Sequence, residues 1–541
     1  MNTLRAASPF LIFWVLTQAF YWPTWDAGFV VDFTGLLYRF DGSTAADIWN
    51  CFGFPALQQA LNAILYGFYQ AFGITPIAWY LLFTSLHALN GWLLYRFSQS
   101  FLRLHGHSSP DWISVPAVLL FLLSPYQSEP VTYRACLSFL LSGTITIGSL
   151  NLAMSWLQAP RNGRLAALLL LLAVGLFTFE LQLVLPVLLT LLLLFSPQAR
   201  AYRGRAFRQM LLPSYAIVLA YLGLNRLLLG SWVGHYGSEV HLRFPAGEMV
   251  GNAFRYALKT LFWVRDYPHE WKTAVFGWFN QNGLLLGATA VVAGLLIAGL
   301  LRYQRLPAGT RAAVFGTLAY GITLLPVANL YFTYLLHVQN DRYGYLPSAF
   351  LLWGAAALLS RLPRPVYLGL IGMLIAGNAF FLFRTNQYWQ ASTDVYRGLM
   401  QDYRWETAPA AYLLNLPDNY QGVWMFRDAA GSNMAFRHAM RYVAQKPLPD
   451  NQQIYEVASY NMTSPGDGAD AKIDSSGQVR VEFQQWGNWW WHKGIGMGPG
   501  YETDRYRVDS KGHHYFLQID SLAPGSVLLR QQGEQWHAVP Y

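Results

Sequence analysis

Charged residues are scarce in this sequence and make up only 12% of its 541 positions, against 54% hydrophobic residues. Soluble globular domains carry about 25% charged residues, so we predict a membrane protein. Cysteine is scarcer still, since Cys51 and Cys136 are the only two. This excludes a disulfide framework and a metal site with cysteine spacing. We expect neither a metal nor a cofactor, and we find no internal repeat or low-complexity segment.

The chain has 21 Trp, 33 Tyr and 34 Phe and a formal charge of +9. Abundant aromatic residues are typical of multi-span proteins with aromatic belts at both bilayer faces. A nucleic-acid footprint needs cations clustered on a soluble face, whereas these cations are scattered over short loops. We therefore expect the lipid bilayer, and no nucleic acid, as a partner.

Apolar runs of about the length of a transmembrane helix predict eleven spans. The first could be a signal peptide, but no small-x-small cleavage site follows it, so we keep it as the first helix. The run from Leu165 to Phe195 is split because Glu180 lies in its middle. The spans are placed at about 6–22, 76–97, 113–124, 135–157, 165–179, 181–196, 210–230, 283–301, 312–328, 346–360 and 366–384.

The arginines predict the orientation of these spans. With the N-terminus inside, one set of loops holds many cations, including the group from Arg200 to Arg208, and almost no acids apart from Asp111. The opposite loops are mixed or acidic. By the positive-inside rule, the arginine loops are cytoplasmic. The protein is then a multi-pass membrane protein, such as one of the bacterial inner membrane, with its C-terminus outside.

No further span follows Tyr388. The stretches "LLNLPDNYQGVWMFRD" and "VRVEFQQWGNWWWHKG" alternate like strands separated by turn residues. We predict two domains: a helical transmembrane module over residues 1–387 and an extracytoplasmic, mainly β or α+β domain over 388–541.

Ionisable residues beside apolar segments are costly unless they are paired, solvated or functional. Acids near the start of the chain and cations near its middle fall at the external face, which indicates one polar cavity. Each has a structural interpretation too: Asp41 and Asp47 resemble turn and cap residues, and Glu180 can pair with Arg226. Asp32 differs, because "AGFVVDF" has no turn chemistry. A carboxylate on such an ordered apolar segment suits a general base.

Four stretches carry a resemblance to a known family. They are "FVVDF", "WYLLFTSLHALNGWLLYRF", "SPYQSEPVTY" and "NDRYGYLPSAF". In order and spacing, over roughly the first 360 residues, they resemble the polytopic GT-C glycosyltransferases that include the transmembrane O-mannosyltransferases. The chain departs from that pattern at Phe33, where the family has a second acid, and at Gln127, where it has a histidine.

The resemblance implies a GT-C fold that uses a polyprenyl-phosphate-linked sugar as donor. It also implies that an acid of the first external loop is the catalytic base for a glycan, lipid or protein acceptor. Such a base must accept a proton from the attacking hydroxyl, and a leaving lipid phosphate calls for an Arg or Lys clamp.

We assign the expected roles accordingly. Asp32 is the predicted base, with Asp26 as the substitute, and Glu129 orients the acceptor or holds Asp32. Arg342 is the first choice for the donor phosphate, beside Asp341, with Arg265 and Lys259 behind it. His87 and Asn90 are predicted to form hydrogen bonds between helices.

The tail motif "WGNWWWHKG" has two interpretations. Its Trp486, Trp489, Trp490 and Trp491 could form a platform for an acceptor sugar, with Trp489 and Trp491 as our acceptor-binding candidates, or they could alternate between a β core and the membrane surface. Alternative functions also stay open: a transporter or flippase for lipid-linked sugars, and a polysaccharide polymerase or ligase. Transporters usually show repeated halves with charges near mid-membrane, so we favour the enzyme.

Overall fold

The computed structural model describes residues 2–50, 56–197, 199–234, 245–328, 338, 340–427, 434–475, 477–484, 489–490 and 500–540, with backbone alone at 2–8, 199–201 and 489–490. The chain divides into two compact units. Unit 1 consists of Met1–Trp22, Thr44–Val131 and Cys136–Thr385. Unit 2 consists of Pro23–Ser43, Thr132–Ala135 and Asn386–Tyr541.

Helices dominate the described part of the chain up to residue 402. In chain order they are α1 (Asn2–Tyr21), α2 (Asp32–Phe40), α3 (Ala45–Trp49), α4 (Gln59–Phe72), α5 (Pro76–Leu104), α6 (Asp111–Leu122), α7 (Ser128–Thr132), α8 (Leu137–Gln158), α9 (Asn162–Leu176), α10 (Leu185–Phe195), α11 (Ala199–Ala206), α12 (Leu212–Leu229), α13 (Ala246–Phe262), α14 (His269–Gly277), α15 (Asn282–Leu301), α16 (Ala308–Leu324), α17 (Tyr345–Leu359), α18 (Arg364–Asp402) and α19 (Ala435–His438).

Six helical stretches of the described chain are long and apolar enough to cross a membrane. They are Pro76–Leu104, Arg134–Gln158, Tyr202–Leu229, Asn282–Leu301, Ala308–Val327 and Arg364–Asp402. Three shorter apolar helices accompany them, at Asp111–Leu122, Asn162–Leu176 and Glu180–Phe195. These helices are compatible with a multi-pass membrane protein, and the predicted number of eleven spans is not confirmed.

Polar side chains tie the helices of unit 1 together at the predicted positions. His87 Nδ1 lies 2.9 Å from Tyr345 Oη, and Asn90 donates to Tyr345 Oη and to Leu140 O, both at 2.9 Å. All four residues are buried. Because buried polar groups need partners, these bonds fix α5 against α8 and α17, and the predicted hydrogen bonds between helices are confirmed.

Helices α16 and α17 approach each other through glycine. A Cβ built on Gly316 would lie 2.8 Å from Phe350 O and 3.0 Å from Gly354 Cα, which are backbone atoms of α17. Real Cβ atoms essentially never come this close to a neighbour. The two helices therefore pack with the backbone in direct contact, as small residues permit in membrane proteins.

Two other predictions about unit 1 are decided by its hydrogen bonds. Asp47 forms a capping box with Thr44 at the start of α3, as the sequence predicted. The suggested pair of Glu180 with Arg226 is wrong. Glu180 Oε1 accepts from the backbone N–H of Gly234 at 2.6 Å, while Arg226 donates to the carbonyl at the end of its own helix, which satisfies an orphan acceptor there.

Three sheets form most of unit 2, which confirms a C-terminal β domain. Its strands are β1 (Ala410–Leu413), β2 (Leu416–Tyr420), β3 (Val423–Trp424), β4 (Gln453–Glu456), β5 (Ser459–Met462), β6 (Ala469–Ile473), β7 (Val479–Phe483), β8 (Trp489–Trp490), β9 (Gly500–Glu502), β10 (Tyr506–Ser510), β11 (His514–Ile519), β12 (Val527–Gln532) and β13 (Gln535–Val539).

The three sheets differ in strand direction. One has the order β13-β12-β1-β4 and is mixed, since β1 runs parallel to β12 and β4 while β13 is antiparallel. A second, β3-β2-β5-β8, is also mixed. The third, β6-β7-β11-β10-β9, is antiparallel throughout. In β7 buried and exposed residues alternate, which is the pattern of a half-buried strand.

The segment Pro23–Ser43 belongs to unit 2, whereas the sequence analysis placed all of residues 1–387 in the first module. Its chain is fitted closely to Thr132–Ala135. Gly28 has φ 87°, and a Cβ there would lie 1.9 Å from Thr132 O. Arg134 donates from its backbone to Gly28 O at 3.1 Å and from its guanidinium to Thr24 O at 3.2 Å. Helix α2 starts from this anchored loop.

Candidate functional site

The predicted site residues fall into two groups, one in each unit. Glu129, Lys259, Arg265, Asp341 and Arg342 belong to unit 1, and we call them the charge cluster. Asp26 and Asp32 belong to unit 2. Each group is described by itself.

Asp341 lies at the centre of the charge cluster. It opens the 3-10 turn Asp341–Gly344 ahead of α17, and it is 1% exposed. Lys259 Nζ forms an ion pair with one of its carboxylate oxygens and Arg265 Nη1 with the other. Arg265 Nη2 also donates to Thr385 Oγ1 at 2.8 Å. One buried carboxylate is therefore shared by two buried cations.

Glu129 holds the chain next to Asp341. Its Oε1 accepts from Arg342 Nη1 at 2.6 Å, and its Oε2 accepts from the backbone N–H of Arg342 at 2.8 Å. The backbone N–H of Asn340, a residue in the left-handed region with φ 72°, lies 3.4 Å from Oε1. Since Glu129 is wholly buried, these three donors compensate for its lost hydration.

An aromatic ring lies against both buried cations. The centre of the Tyr126 ring is 4.7 Å from Arg265 Cζ and 5.4 Å from Lys259 Nζ, distances that allow cation–π attraction. The Tyr126 hydroxyl is buried and has no hydrogen-bond partner among the described residues. Sequence reasoning passed over this residue, although it stands in the quoted "SPYQSEPVTY".

Burial controls the titration of the cluster. It raises the pKa of Asp341 to about 6, with Glu129 adding to the rise and Lys259 and Arg265 opposing it. Burial also lowers the pKa of Lys259, and the attraction of Asp341 opposes that shift. Asp341 therefore takes up a proton at a higher pH than an exposed aspartate does.

The cations of the cluster differ in accessibility. The side chains of Lys259 and Arg265 are 1% and 4% exposed, whereas that of Arg342 is 15% exposed. The predicted preference for Arg342 as the phosphate ligand stays a prediction, but Arg342 is the cation of this cluster that a ligand reaches most easily.

In unit 2, Asp26 is an ion-pair partner. Its carboxylate binds Arg397 Nη1, and its backbone carbonyl accepts from Arg397 Nη2 at 2.7 Å. Arg397 lies on α18, 371 residues along the chain. The sequence gave no signal for this partner.

Asp32 is different because its carboxylate is unengaged. It is the first residue of α2, half-buried, and its backbone N–H donates to Tyr133 Oη at 2.9 Å. Within the described residues its carboxylate has no hydrogen bond or ion pair. An acid at the first turn of a helix is favoured by the helix dipole, so no side-chain partner is needed to hold it there.

The residue before Asp32 has a strained backbone. Val31 has φ 49° and ψ −114°, a region that β-branched residues almost never occupy. Such strain costs about 1–3 kcal/mol and concentrates at functional sites, where the surrounding structure maintains it. Here that structure includes Tyr133, whose ring stacks on Trp389 with centroids 6.4 Å apart.

The predicted tryptophan platform is only partly described. The backbone of Trp489 is in β8 and pairs with Tyr460 of β5, while Trp491 and Trp486 lie outside the described residues. Across the described ranges, no group of three or more His, Cys, Asp and Glu side chains could hold a metal ion.

The predicted site residues therefore divide into engaged and free ones. Ion pairs join the residues of the charge cluster. Asp26 is paired with Arg397. The carboxylate of Asp32 is free among the described residues. Comparison of the chain with family models, with curated proteins and with solved structures gave no match.

Proposed function

We propose that this protein is a membrane glycosyltransferase of GT-C type. It moves a sugar from a polyprenyl-phosphate-linked donor to an acceptor hydroxyl on the extracytoplasmic side of the membrane, with Asp32 as the general base. The six membrane-length helices support the membrane setting. The eleven spans and the outside C-terminus are part of the proposal and rest on the distribution of arginines.

The free carboxylate of Asp32 is the observation that carries this proposal. A general base needs an available lone pair within reach of the hydroxyl whose proton it accepts. Of the four acids that the sequence analysis placed in the site, Asp26, Glu129 and Asp341 are each bound to cations. Asp32 is the one whose oxygens are available, and it is held by its backbone rather than by its side chain.

The charge cluster supports the donor part of the proposal. Its three cations are balanced by Glu129, Asp341 and the neighbouring Asp266, which lies 3.5 Å from Arg265 Nε, so the support comes from Arg342 rather than from an excess of charge. Arg342 presents a planar set of N–H donors, which suits phosphate oxygens. Its exposed fraction makes it the first contact for a lipid phosphate. Lys259 and Arg265 are more deeply buried and add to the positive electrostatic potential at that point.

The base assignment is tested with Asp32→Asn. The amide keeps the size of the side chain but cannot accept the proton, so turnover should fall by about 10² to 10⁴-fold while donor binding persists. The measurement is transfer from a synthetic polyprenyl-phosphate sugar in detergent, with thermal unfolding recorded in parallel. Asp26→Asn is the matched control. It breaks a partly exposed ion pair, which is worth at most about 1 kcal/mol, and it should retain most activity.

Two results would contradict the assignment. If Asp32→Asn transfers sugar at the wild-type rate while Asp26→Asn is inactive, the base is Asp26. If wild-type protein in liposomes moves a lipid-linked sugar across the bilayer but never forms a glycosidic bond, the protein is the transporter that the sequence analysis left open.

The phosphate assignment is tested separately with Arg342→Ala. This change should weaken donor binding by about 1.5–3 kcal/mol, the range for a hydrogen bond to a charged group. Arg342→Lys keeps the charge but loses the planar fork, so its affinity should lie between the two. Unchanged donor affinity in Arg342→Ala would transfer the role to Arg265 or Lys259.

A further inference from the structure

Unit 2 contains a cavity whose lining does not include the predicted base Asp32. Its volume is about 630 Å³, within the roughly 300–1,000 Å³ of pockets that hold small molecules. Residues of α2, of α19, of the stretch 441–450 and of β4 line it, together with Tyr506 of β10. All of these residues belong to unit 2.

An exposed aromatic ring is part of the lining of this cavity. Tyr38 is 61% exposed, although a bulky aromatic side chain loses free energy by standing in water. Its ring stacks on the buried His438 with centroids 5.0 Å apart and an interplanar angle of 23°. One face of Tyr38 is thus supported, and the ring is held in place as a flat platform for a ligand.

Polar side chains line the same cavity. Asp450 and Gln453 are exposed, and their carboxylate and amide oxygens can accept hydrogen bonds from hydroxyl groups. The buried Gln452 is engaged with the protein, since its Nε2 donates to Ala408 O at 2.9 Å.

The charges of the cavity do not favour an anion. Arg437 donates to the backbone carbonyl of Pro449 at 3.2 Å, and Arg441 pairs with Asp41 at 2.7 Å. Asp450 and Glu456 supply negative charge to the same lining. The arginines are thus already occupied, and the site suits a neutral ligand with many hydroxyl groups and one flat apolar face.

We propose that this cavity binds a sugar residue of a neutral glycan, which stacks on Tyr38 and donates hydroxyl groups to exposed polar side chains of the lining such as Gln453. That the glycan is the acceptor rests on the proposed function, whereas its binding does not. The two assignments meet on α2, since Asp32 begins this helix and Tyr38 follows six residues later, a rise of about 9 Å.

The test is a binding titration of the purified full-length protein in detergent, followed by ligand-observed NMR. The probes are mannobiose, cellobiose and N,N′-diacetylchitobiose, with inorganic phosphate as the anion. We expect saturable binding of at least one disaccharide. Tyr38→Ala should weaken it about tenfold because the stacking face is lost, while Tyr38→Phe keeps the ring and the affinity. Tyr202→Ala, at another exposed tyrosine, should change nothing.

The inference is overturned if none of the disaccharides binds, if only phosphate binds, or if Tyr38→Ala binds as tightly as Tyr38→Phe. Asp32→Asn separates this site from the proposed activity, because it should bind the disaccharide with wild-type affinity while losing transfer. If the wild-type protein binds sugar at Tyr38 but shows no transfer, the sugar site stands and the proposed enzyme fails. If transfer proceeds and Tyr38→Ala leaves the acceptor KM unchanged, the assignment of this sugar as acceptor fails.

Discussion

Asp341 illustrates how one residue can control a whole group of charges. Its two oxygens hold Lys259 and Arg265, so its protonation releases both cations at once. An isolated buried ion pair contributes little net stability, because the desolvation of its charges offsets their attraction. If the cluster binds the donor phosphate as proposed, the state of Asp341 decides whether Lys259 and Arg265 are available to it.

The raised pKa of Asp341 predicts that donor binding depends on pH. Above the pKa of about 6 the carboxylate is charged and competes for Lys259 and Arg265; below it the cations are free for phosphate. A sugar phosphodiester keeps its charge throughout this range, so its affinity should rise about tenfold between pH 7.5 and pH 5. The measurement is donor binding, which reports on the cluster alone, and not turnover.

Asp341→Asn provides the control for this prediction. The amide cannot take up charge, so this variant should bind the donor with the low-pH affinity at both pH values.

Protonation of Asp341 also favours the folded state. Its pKa in the folded protein, about 6, lies above the unfolded value of about 4. The contribution of Asp341 to the free energy of unfolding therefore increases as the pH falls from 6 toward 4. A wild-type affinity that is the same at pH 5 and pH 7.5 would contradict the prediction.

Some of these residue-scale features could be read from the sequence, and others could not. Asp32 stood out because an acid in "FVVDF" has no turn chemistry around it, a local property. The partner of Asp26 could not be found this way, since Arg397 is 371 residues distant and no local pattern links them. The strain at Val31 is likewise a property of the folded chain, because a valine in a sequence gives no sign of a positive φ.

At the scale of elements, hydropathy located the apolar helices well but missed the amphipathic ones. The predicted span at 76–97 corresponds to α5 and that at 135–157 to α8. Helix α13, which supplies Lys259, was not predicted, because its apolar residues form one face rather than a continuous run. Helix α18 continues well past the predicted end of its span, since a polar sequence can extend a helix without prolonging the apolar run.

The glycine contact between α16 and α17 gives a prediction with a built-in control. Gly316→Ala places a methyl group against the backbone of α17, so the helices must separate, at a cost of about 1–3 kcal/mol. Gly321 lies on the same helix, and a Cβ built there would meet no atom of a neighbouring element within 4 Å among the described residues. Gly321→Ala should be neutral or stabilising by up to about 1 kcal/mol, because alanine favours the helix.

The measurement is thermal unfolding of both variants in the same detergent. A melting temperature for Gly316→Ala equal to that of Gly321→Ala would show that α16 and α17 have room to accommodate a side chain, which would contradict the close contact.

At the scale of the whole molecule, the arginine distribution predicts sidedness. Single cysteines at Arg203 and at Lys511, in a background without Cys51 and Cys136, should react differently in intact cells. An impermeant maleimide should label Lys511→Cys, because unit 2 is predicted to be outside, and should not label Arg203→Cys. A permeant maleimide should label both and serves as the control. Labelling at Arg203→Cys by the impermeant reagent would reverse the topology.

The β domain was predictable because alternation is a local signal, and β2, β3 and β7 fall in the two stretches that show it. The inclusion of Pro23–Ser43 in unit 2 was not, because it depends on contacts between distant parts of the chain. Asp41 binds Arg441, and Tyr38 stacks on His438, yet each of these residues alone has an ordinary surface pattern.

This division of the chain has a consequence for biosynthesis. Residues 23–43 leave the ribosome early, but the last segment of unit 2 begins at Asn386, about 340 residues later. At a synthesis rate of about 5–20 residues per second, the early segment waits on the order of 20–70 s for Arg397, the partner of Asp26, and for His438, the partner of Tyr38. During that interval the segment lacks these partners. A fragment beginning at Asn386 would be made without α2, which belongs to the same compact unit.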